Sequence, residues 1–440
     1  MIPILKSDQM READADAVAV RGTEALVRAA GTAVGLEAKR LLGGCYGRRV
    51  AVIAGPGLNG SDGRVAAAWL RSRGARVDVI DVARQPERLE GYALVIDAAF
   101  GLGCTRPYVA PDVASGTAVL AVDLPSGVNA DTGEVLGAPM QADATLALGA
   151  LKHAHLTGAA ALLAGKLRFA GLGIVDVFDD GLIDDGDLGS LLEGRADDHK
   201  WQHAVQAFVG SPRMPGAAEL VVRGALAGGA SMIRLASRGD VAAFVQLPPE
   251  VVHIDDAEVD RRCRCVVAGP GLGAEAASWL RERLSDVTVP VVLDADGLDR
   301  TLVTEVMRRG VPWILTPHEG EFVRLTGQPM PENRIEAVRA LARELGCVVL
   351  LKGPTTLIAT PEGTLRVVRS GTSALATAGT GDVLAGLIAA TVARGHDALT
   401  ASALASHLHG RAGVRLAPYA PASALIPEVT GILRVLGEHR

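Results

Sequence analysis

The sequence predicts an α/β protein made of two three-layer αβα domains. Short, continuously apolar, β-rich runs alternate with Ala-rich helical segments along the 440 residues. Strands of that kind, separated by helices, belong to parallel sheets with helices on both faces. Each half carries the same turn after a strand, Ala-Gly-Pro-Gly, at Ala54–Gly57 and at Ala268–Gly271. The alternation lapses between about Asp179 and Asp198, an acidic and Gly-interrupted stretch that includes Asp184, Asp185, Asp187 and Glu193. The division is expected there, giving domains over residues 1–195 and 196–440.

In the first half, Val50–Ala54 reads as a buried strand, followed by a Gly loop and a helix from about Arg64 to Arg73. Val77–Val82, Leu94–Ala98 and Ala118–Asp123 read as further strands. In the second half the strands are Ala207–Val209, Cys265–Ala268, Val289–Asp294, Trp313–Thr316, Val348–Leu351 and Thr356–Ala359. Helices follow over Asp382–Arg394 and Ala398–Gly410. The two Ala-Gly-Pro-Gly turns stand at carboxyl ends of strands, where open α/β sheets bind ligands.

Composition excludes several classes. With 49% hydrophobic and 21% charged residues the chain is expected to fold rather than remain disordered. Aromatics are only 3%, so the core is built from Ala, Val, Leu and Ile. A formal charge of -6 and a pI near 6.0 argue against nucleic acid or a membrane surface as partner. Phosphate groups must be held by local features. Cys45, Cys104, Cys263, Cys265 and Cys347 are scattered and read as reduced thiols. The start, Met1-Ile2-Pro3-Ile4-Leu5-Lys6, is not that of a signal peptide, and no run approaches the ~20 apolar residues of a membrane span. A cytoplasmic location is expected.

The sharpest local feature is Gly55-Pro56-Gly57-Leu58-Asn59-Gly60-Ser61-Asp62-Gly63, with four glycines in nine residues. It lies between a strand and a helix, so its amides and the helix N-terminus can face a phosphate. Asp97 leads out of one strand into Ala98–Pro107, and Asp123 out of another into Leu124-Pro125-Ser126-Gly127. Acidic side chains at the carboxyl ends of adjacent parallel strands point into one crevice. With Asn59 and Ser126 they form a set of hard oxygen ligands suited to a cation. Capping of the following turns is the alternative for either aspartate taken alone.

The Gly loop, the Asp97–Pro107 segment, the VDLPSG of Val122–Gly127 and Thr145…Lys152 occur in the order seen in NAD(P)H-hydrate epimerases. The first half resembles that family, which implies a Rossmann-like fold. The resemblance implies that Asn59, Asp97 and Ser126 hold a potassium ion (K+). It also implies that Leu58, Asn59, Gly60, Ser61, Asp62, Gly101, Leu102, Gly103, Cys104, Thr105, Arg106, Pro107 and Asp123 contact the hydrated cofactor. The chain departs from the family loop, close to G-P-G-N-N-G-G-D-G, at Leu58 and Ser61. Leu58 removes a polar contact, and Ser61 adds a Cβ.

The substrate carries a hydroxyl on the carbon beside the ring nitrogen. Loss of hydroxide gives an iminium, to which water re-adds from either face. A carboxylate that shuttles the proton and stabilises the cation suffices, and Asp123 is expected in that role by its position. Lys152 reads as a phosphate contact or a solvated lysine, with the solvated reading preferred.

The second half has no Walker loop. Its best phosphate site is Thr377-Ala378-Gly379-Thr380-Gly381-Asp382, directly before the apolar helix. Successive amides of a small-residue turn and the helix dipole form an anion hole for a transferring phosphoryl group. Asp382 is placed to accept a proton from a hydroxyl attacking phosphorus. Five further segments precede it in sequence: Met214–Ala218, Gly269–Gly273, Leu293–Leu298, Leu315–Glu321 and Leu351–Thr356. Their order and spelling, from about Lys200 to Gly413, resemble the ADP- or ATP-dependent NAD(P)H-hydrate dehydratases, a branch of the ribokinase-like fold. That resemblance implies that Ala217, Gly273, His318 and Asp382 contact the hydrated cofactor. It assigns Lys352, Gly353, Pro354, Thr355, Thr356 and Gly381 to the adenine nucleotide. ADP or ATP then serves as co-substrate with Mg2+ as charge neutraliser.

His318 is the histidine expected to be functional, with turn stabilisation as its alternative. His199 and His203, four apart, are expected to face solvent, and His407 and His409 to be structural. The expected partners are hydrated NADH and NADPH (NADHX and NADPHX) with ADP or ATP, and a homo-oligomer is expected. Two competing readings are a ribokinase-like small-molecule kinase, and a first half that is a non-catalytic binding module.

Overall fold

The structure, a computed structural model, describes residues 1–192, 199–255, 258–307 and 310–438. Two compact units are resolved, Ile2–Asp180 and Gly181–Arg440. The expected division at residues 195 and 196 lies outside the described residues.

The Ile2–Asp180 unit opens with helices α1 (Ser7–Arg21) and α2 (Thr23–Leu42). Its sheet contains β1 (Arg49–Ala54), β2 (Arg76–Asp81), β3 (Leu94–Ala98), β4 (Ala118–Val122), β5 (Ala144–Leu148) and β6 (Lys166–Ala170). The strands are parallel and ordered β6-β5-β4-β3-β1-β2. Alternation along β1 sends Val50, Val52 and Ala54 onto a layer built by α2 and α3 (Leu58–Arg71). Ala51 and Ile53 face Leu89, Tyr108 and Met140 on the other side. The chain runs from β1 outward to β2 and then returns to β3 on the opposite flank. The loops after β1 and β3 therefore part at a topological switch point, which opens a crevice there.

The sequence predicts a helix starting near Arg64, but α3 begins at Leu58. Asn, Gly and Ser are poor helix formers in isolation. Packing overrides that preference. A Cβ on Gly60 would lie 2.0 Å from the Gly55 carbonyl oxygen, and one on Gly63 would lie 2.6 Å from Ala98 Cβ. The glycines let the first turns of α3 lie directly on the strand ends.

The Gly181–Arg440 unit holds β7 (Ala204–Phe208), β8 (Met232–Ala236), β9 (Val251–His253), β10 (Cys265–Ala268), β11 (Val291–Leu293) and β12 (Trp313–Leu315). They are followed by β13 (Val348–Leu351), β14 (Thr356–Ala359) and β15 (Leu365–Val368). The order is β15-β14-β13-β12-β11-β10-β7-β8-β9, with a second switch point between β7 and β10. Pairing is parallel except at β13–β14 and β14–β15. One face carries α4 (Pro215–Ala227), the almost wholly buried α6 (Thr380–Ala393) and α7 (Ala398–Arg415). Gly224 of α4 and Gly386 of α6 let these two helices touch: a Cβ on either would meet backbone of the other at 2.5 and 2.2 Å. The short α5 (Glu319–Thr326) follows β12.

All five cysteines are free and buried. Among the described residues no helix is long and apolar enough to cross a membrane. His199 is exposed, whereas His203 is half-buried with its ring nitrogen 3.2 Å from the Ala393 carbonyl. His203 thus corrects the solvent-facing expectation, and the segment forms a turn.

Candidate functional site

In the Ile2–Asp180 unit the crevice opens into a cavity of about 430 Å³ at the carboxyl ends of β1, β3 and β4. Leu58, Asn59, Asp62, Gly101, Leu102, Gly103 and Asp123 line it. Gly60, Ser61, Cys104, Thr105, Arg106 and Pro107 are not among its lining residues. Cys104 is buried, while Thr105, Arg106 and Pro107 are exposed. Of the loop glycines only Gly57 faces the cavity, with no atom near where a Cβ would stand. A Cβ on Gly55 would lie 1.8 Å from the Ala99 carbonyl oxygen. Most of the glycine signature therefore serves packing of strand ends on α3. The amides of the first turn of α3 remain free of intrahelical partners, as at any helix start.

Asp123 stands just past β4 in a left-handed conformation, φ 63°. Its Oδ1 accepts from the Lys152 ammonium at 2.5 Å and from the Leu148 amide at 3.1 Å. Its backbone carbonyl accepts from His155 Nε2 at 2.6 Å, and the Lys152 amide donates to His155 Nδ1 at 2.9 Å. Lys152 Nζ also donates to the carbonyls of Leu148 and Ala150, both at 2.9 Å. All three ammonium hydrogens thus have partners, and the side chain is 1% exposed. The solvated reading of Lys152 is corrected: the pairing with Asp123, invisible in a linear sequence, holds it inside.

Two other carboxyl groups face this pair. Asp62 of α3 is buried, and its pKa is pushed up to about 8 by burial, then by the charges of Asp123 and Asp14. Asp14 of α1 is raised by burial, with Lys152 opposing and Asp123 adding to the shift. Much of the cavity's remaining wall is apolar, from Met10, Val18, Leu26, Val27 and Ile174, with Arg11 and Thr23 also lining it. Neither α1 nor α2 was anticipated as part of the site.

Asp97, fully buried, accepts from Ser126 Oγ at 2.6 Å, from the Ser126 amide at 2.8 Å and from the Ala99 amide at 3.3 Å. Burial pushes its pKa up, against these hydrogen bonds. Ser126 Oγ also accepts from the Phe100 amide at 2.8 Å. The Asn59 amide abuts Gly101, and its Nδ2 is buried without a partner. A buried carboxylate held by neutral donors, with a serine hydroxyl beside it, supplies oxygen ligands of the kind a monovalent cation takes; the orphaned Asn59 Nδ2 is an N–H donor and does not add to that set.

In the Gly181–Arg440 unit, Asp382 lies in the first turn of α6, after Gly379 at φ 92°. Its pKa is pushed up to about 7 by burial, then by Asp294, with Lys352 opposing and Asp296 and Glu321 adding. Lys352 Nζ is 2.6 Å from Asp294 Oδ1 and 3.7 Å from Glu321 Oε2. Burial alone would lower the lysine's pKa; Asp294, Glu321 and Asp382 outweigh it and raise the value. Gly381 faces the same group, since a Cβ there would stand 3.5 Å from Lys352 Nζ. Gly273 joins through its amide, which donates to Asp296 at 2.8 Å. Ala217 packs on the same turn, against Gly271.

His318 caps α5: its Nδ1 accepts from the Glu321 amide at 3.2 Å, and Glu321 Oε2 accepts from the His318 amide at 2.8 Å. The ring is 59% exposed, so a structural task and an accessible face coexist. Gly353 and Pro354 are exposed beside half-buried Thr355 and Thr356. His407 and His409 are both buried; His407 bonds Asp185 at 2.9 Å. His409 Nε2 donates to the Thr380 carbonyl at 3.0 Å, beneath the first turn of α6, and burial pushes its pKa down to about 4. Asp294, Asp296 and Glu321 complete the cluster and were not singled out from sequence. Asp294 carries the same strand-end signal as Asp97 and Asp123.

Two switch-point crevices, one lined by paired carboxyls and one by a helix-start turn with an aspartate and a half-buried lysine, define a two-site α/β enzyme. Residues 205–432 match a family model described as NAD(P)H-hydrate dehydratase, and residues 23–91 and 80–154 one described as YjeF-related protein N-terminus. The bifunctional NAD(P)H-hydrate repair enzyme Nnr of Mycobacterium tuberculosis is 35% identical over 430 residues, covering 88% of each chain. That of Thermofilum pendens is 34% identical, covering 89% of this chain and 87% of its own. Among solved structures, the ADP/ATP-dependent NAD(P)H-hydrate dehydratase of Bacillus subtilis, co-crystallised with ATP/Mg2+, is 30% identical with a TM-score of 0.51. It covers 57% of this chain and 95% of its own. A ribokinase-like superfamily protein of Enterococcus faecalis, 20% identical with a TM-score of 0.52, covers 60% and 98% and shares the fold. The chain belongs to the family of bifunctional NAD(P)H-hydrate repair enzymes. It is accordingly an isomerase and a lyase in one polypeptide.

Proposed function

We propose that the first unit interconverts the R and S hydrates of NADH and NADPH, and that the second dehydrates the S form with ADP or ATP. The observation that carries the reading is the cluster of Asp382, Lys352, Asp294 and Glu321 at the first turn of α6. There Asp382 accepts the proton of the ring hydroxyl as its oxygen attacks the terminal phosphorus. AMP or ADP departs, and the hydroxyl becomes a phosphate ester. The ring nitrogen lone pair then expels phosphate, and loss of a proton from the neighbouring ring carbon restores the dihydropyridine. Amides of the Gly379–Asp382 turn and the α6 dipole face the phosphoryl group. Lys352 places a positive charge beside it. Ala217, Gly273 and His318 lie on the cofactor side, and Gly353, Pro354, Thr355, Thr356 and Gly381 on the nucleotide side. Among the described residues no group of three or more His, Cys, Asp or Glu side chains is arranged to hold a metal ion. Mg2+ would therefore enter chiefly on the nucleotide's phosphates, where it neutralises charge.

In the first unit Asp123 stabilises the ring cation and exchanges protons with water, while Leu58–Asp62, Gly101–Pro107 and Asp123 surround the cofactor. Asn59, Asp97 and Ser126 would hold K+, whose charge would offset that of Asp97. Both halves match one repair family, which favours this reading over a small-molecule kinase with a silent first domain. We assign the two activities to the two halves, in a cytoplasmic homo-oligomer.

The test incubates NADHX of mixed stereochemistry with ADP or ATP, Mg2+ and K+, and follows the dihydropyridine absorbance. Full recovery of both epimers is expected, with omission of K+ slowing only the R form. A stable phosphorylated product would mark a kinase instead. Repair of the R form no faster than spontaneous epimerisation would mark the first unit as silent.

A further inference from the structure

The first-unit cavity is lined by three carboxyl groups, one lysine and one arginine. Asp14 and exposed Arg11 come from α1, Asp62 from α3, Asp123 from the end of β4 and Lys152 from beyond β5. The segment of α2 facing the cavity contributes Thr23, Leu26, Val27 and Ala30, none of them charged. Lys152 directs its ammonium at Asp123 and two backbone carbonyls, so no ammonium hydrogen is left for Asp62. Asp62 sits only 7% exposed in the cavity wall, facing the electrostatic field of the other two carboxyls.

A buried acid beside a like charge keeps its proton, while the carboxylate that owns the cation keeps its charge. Epimerisation needs both kinds of group. The departing hydroxide must receive a proton, and the incoming water must lose one.

We infer that Asp62 is the proton donor to the leaving hydroxyl in epimerisation, and that Asp123, held by Lys152, is the acceptor from the incoming water. This rests on the epimerase reading of the first unit. The Asp62 O–H gives its proton to the ring hydroxyl. The carbon–oxygen bond breaks, its electron pair leaves with water, and the nitrogen lone pair closes the C=N bond. On the opposite face a water oxygen bonds to that carbon, and the C=N pair returns to nitrogen. The surplus proton of that water passes to Asp123. One proton has moved from Asp62 to Asp123, and its return through cavity water resets the site. The opposite isomerisation runs the same steps in reverse.

A raised carboxyl pKa is consistent with this division: Asp62 holds its proton up to about pH 8. The epimerase rate should therefore fall as pH rises through that value, because the donor form is lost.

The experiment uses the full chain with purified R-NADHX, excess ADP and Mg2+, and K+. Asp62→Asn keeps the shape and removes the proton. It should lower the epimerase kcat about 100-fold or more, with KM changed less than about threefold, and abolish the alkaline limb. Asp62→Glu should restore part of the rate and the limb. Dehydration of purified S-NADHX reports an intact second unit in each variant. If wild type shows no epimerase activity, the parent reading fails and this inference fails with it. If wild type is active and Asp62→Asn stays within about threefold of it, Asp62 is not the donor. If Asp62→Asn raises KM but retains the alkaline limb, Asp62 only binds, and the inference is again overturned.

Discussion

Replacing Lys152 with methionine tests whether the first site is organised around a single buried cation. Methionine fills much of the same volume but carries no charge. The change removes the 2.5 Å ion pair to Asp123 and the 2.9 Å hydrogen bonds to the carbonyls of Leu148 and Ala150. The side chain is only 1% exposed, so solvent compensates little for their loss. Taking one partner from a buried pair costs about 3–5 kcal/mol, against ~0.2–1 kcal/mol for a pair in solvent. The first estimate is a large part of the ~5–15 kcal/mol that keeps a domain folded. Because the chain has two units, a single unfolding midpoint would mix them. The assay is hydrogen exchange of the Ala144–Leu148 strand with increasing urea, alongside the epimerase rate. Exchange should accelerate by the equivalent of about 3–5 kcal/mol, with the second unit's dehydratase activity unchanged. The double variant Asp123→Asn/Lys152→Met should be less destabilised than Lys152→Met alone, since it buries no orphaned charge. A single-variant cost below about 1 kcal/mol would refute the reasoning and return Lys152 to the status of a surface lysine.

Two further outcomes follow from the geometry. Asp382 has its folded pKa raised to about 7 from 3.8, so its stabilising contribution is fully present below about pH 3.8 and is lost as pH rises through about 7. Its activity runs the other way: dehydratase kcat/KM should climb through about pH 7, and Asp382→Asn should remove that limb and cost about 10²–10⁴-fold in kcat, measured by recovery of the chromophore from S-NADHX. Gly55→Ala would place a Cβ 1.8 Å from the Ala99 carbonyl oxygen, where backbone must move. It should cost at least about 2–3 kcal/mol of first-unit stability and the epimerase activity, read by proteolytic sensitivity of the first unit with the second intact.

Strands were legible where an apolar run is continuous and bounded by polar or Gly residues. Leu94–Ala98, Cys265–Ala268, Val348–Leu351 and Thr356–Ala359 are strands to the residue. The start of α3 was not legible, because Asn59, Gly60 and Ser61 read as loop until their contacts with the ends of β1 and β3 are known. Ser61 bonds back to the Gly57 carbonyl at 3.3 Å within that first turn, which is why a side chain is accommodated there. Leu58 instead projects into the cavity mouth, 55% exposed. Asp14 carried no signal, since an aspartate within the polar sequence Ser7–Arg21 reads as a solvated helix face.

Asp62, Asp97 and Asp123 are one residue type; the sequence singles out Asp97 and Asp123 by their places at strand ends, and Asp62 through the family resemblance of the Gly loop. What separates them is where positive charge lies in three dimensions. Asp123 has an ammonium 2.5 Å away, Asp97 has only amides and a hydroxyl, and Asp62 has the field of other carboxyls. That allocation depends on Lys152, which stands 29 positions from Asp123 along the chain. Lysine is among the residue types least often fully buried, so the prior for its type points to solvent. The chemistry of the three aspartates is therefore written in a tertiary contact, and a motif can name the acids without saying which of them holds a proton.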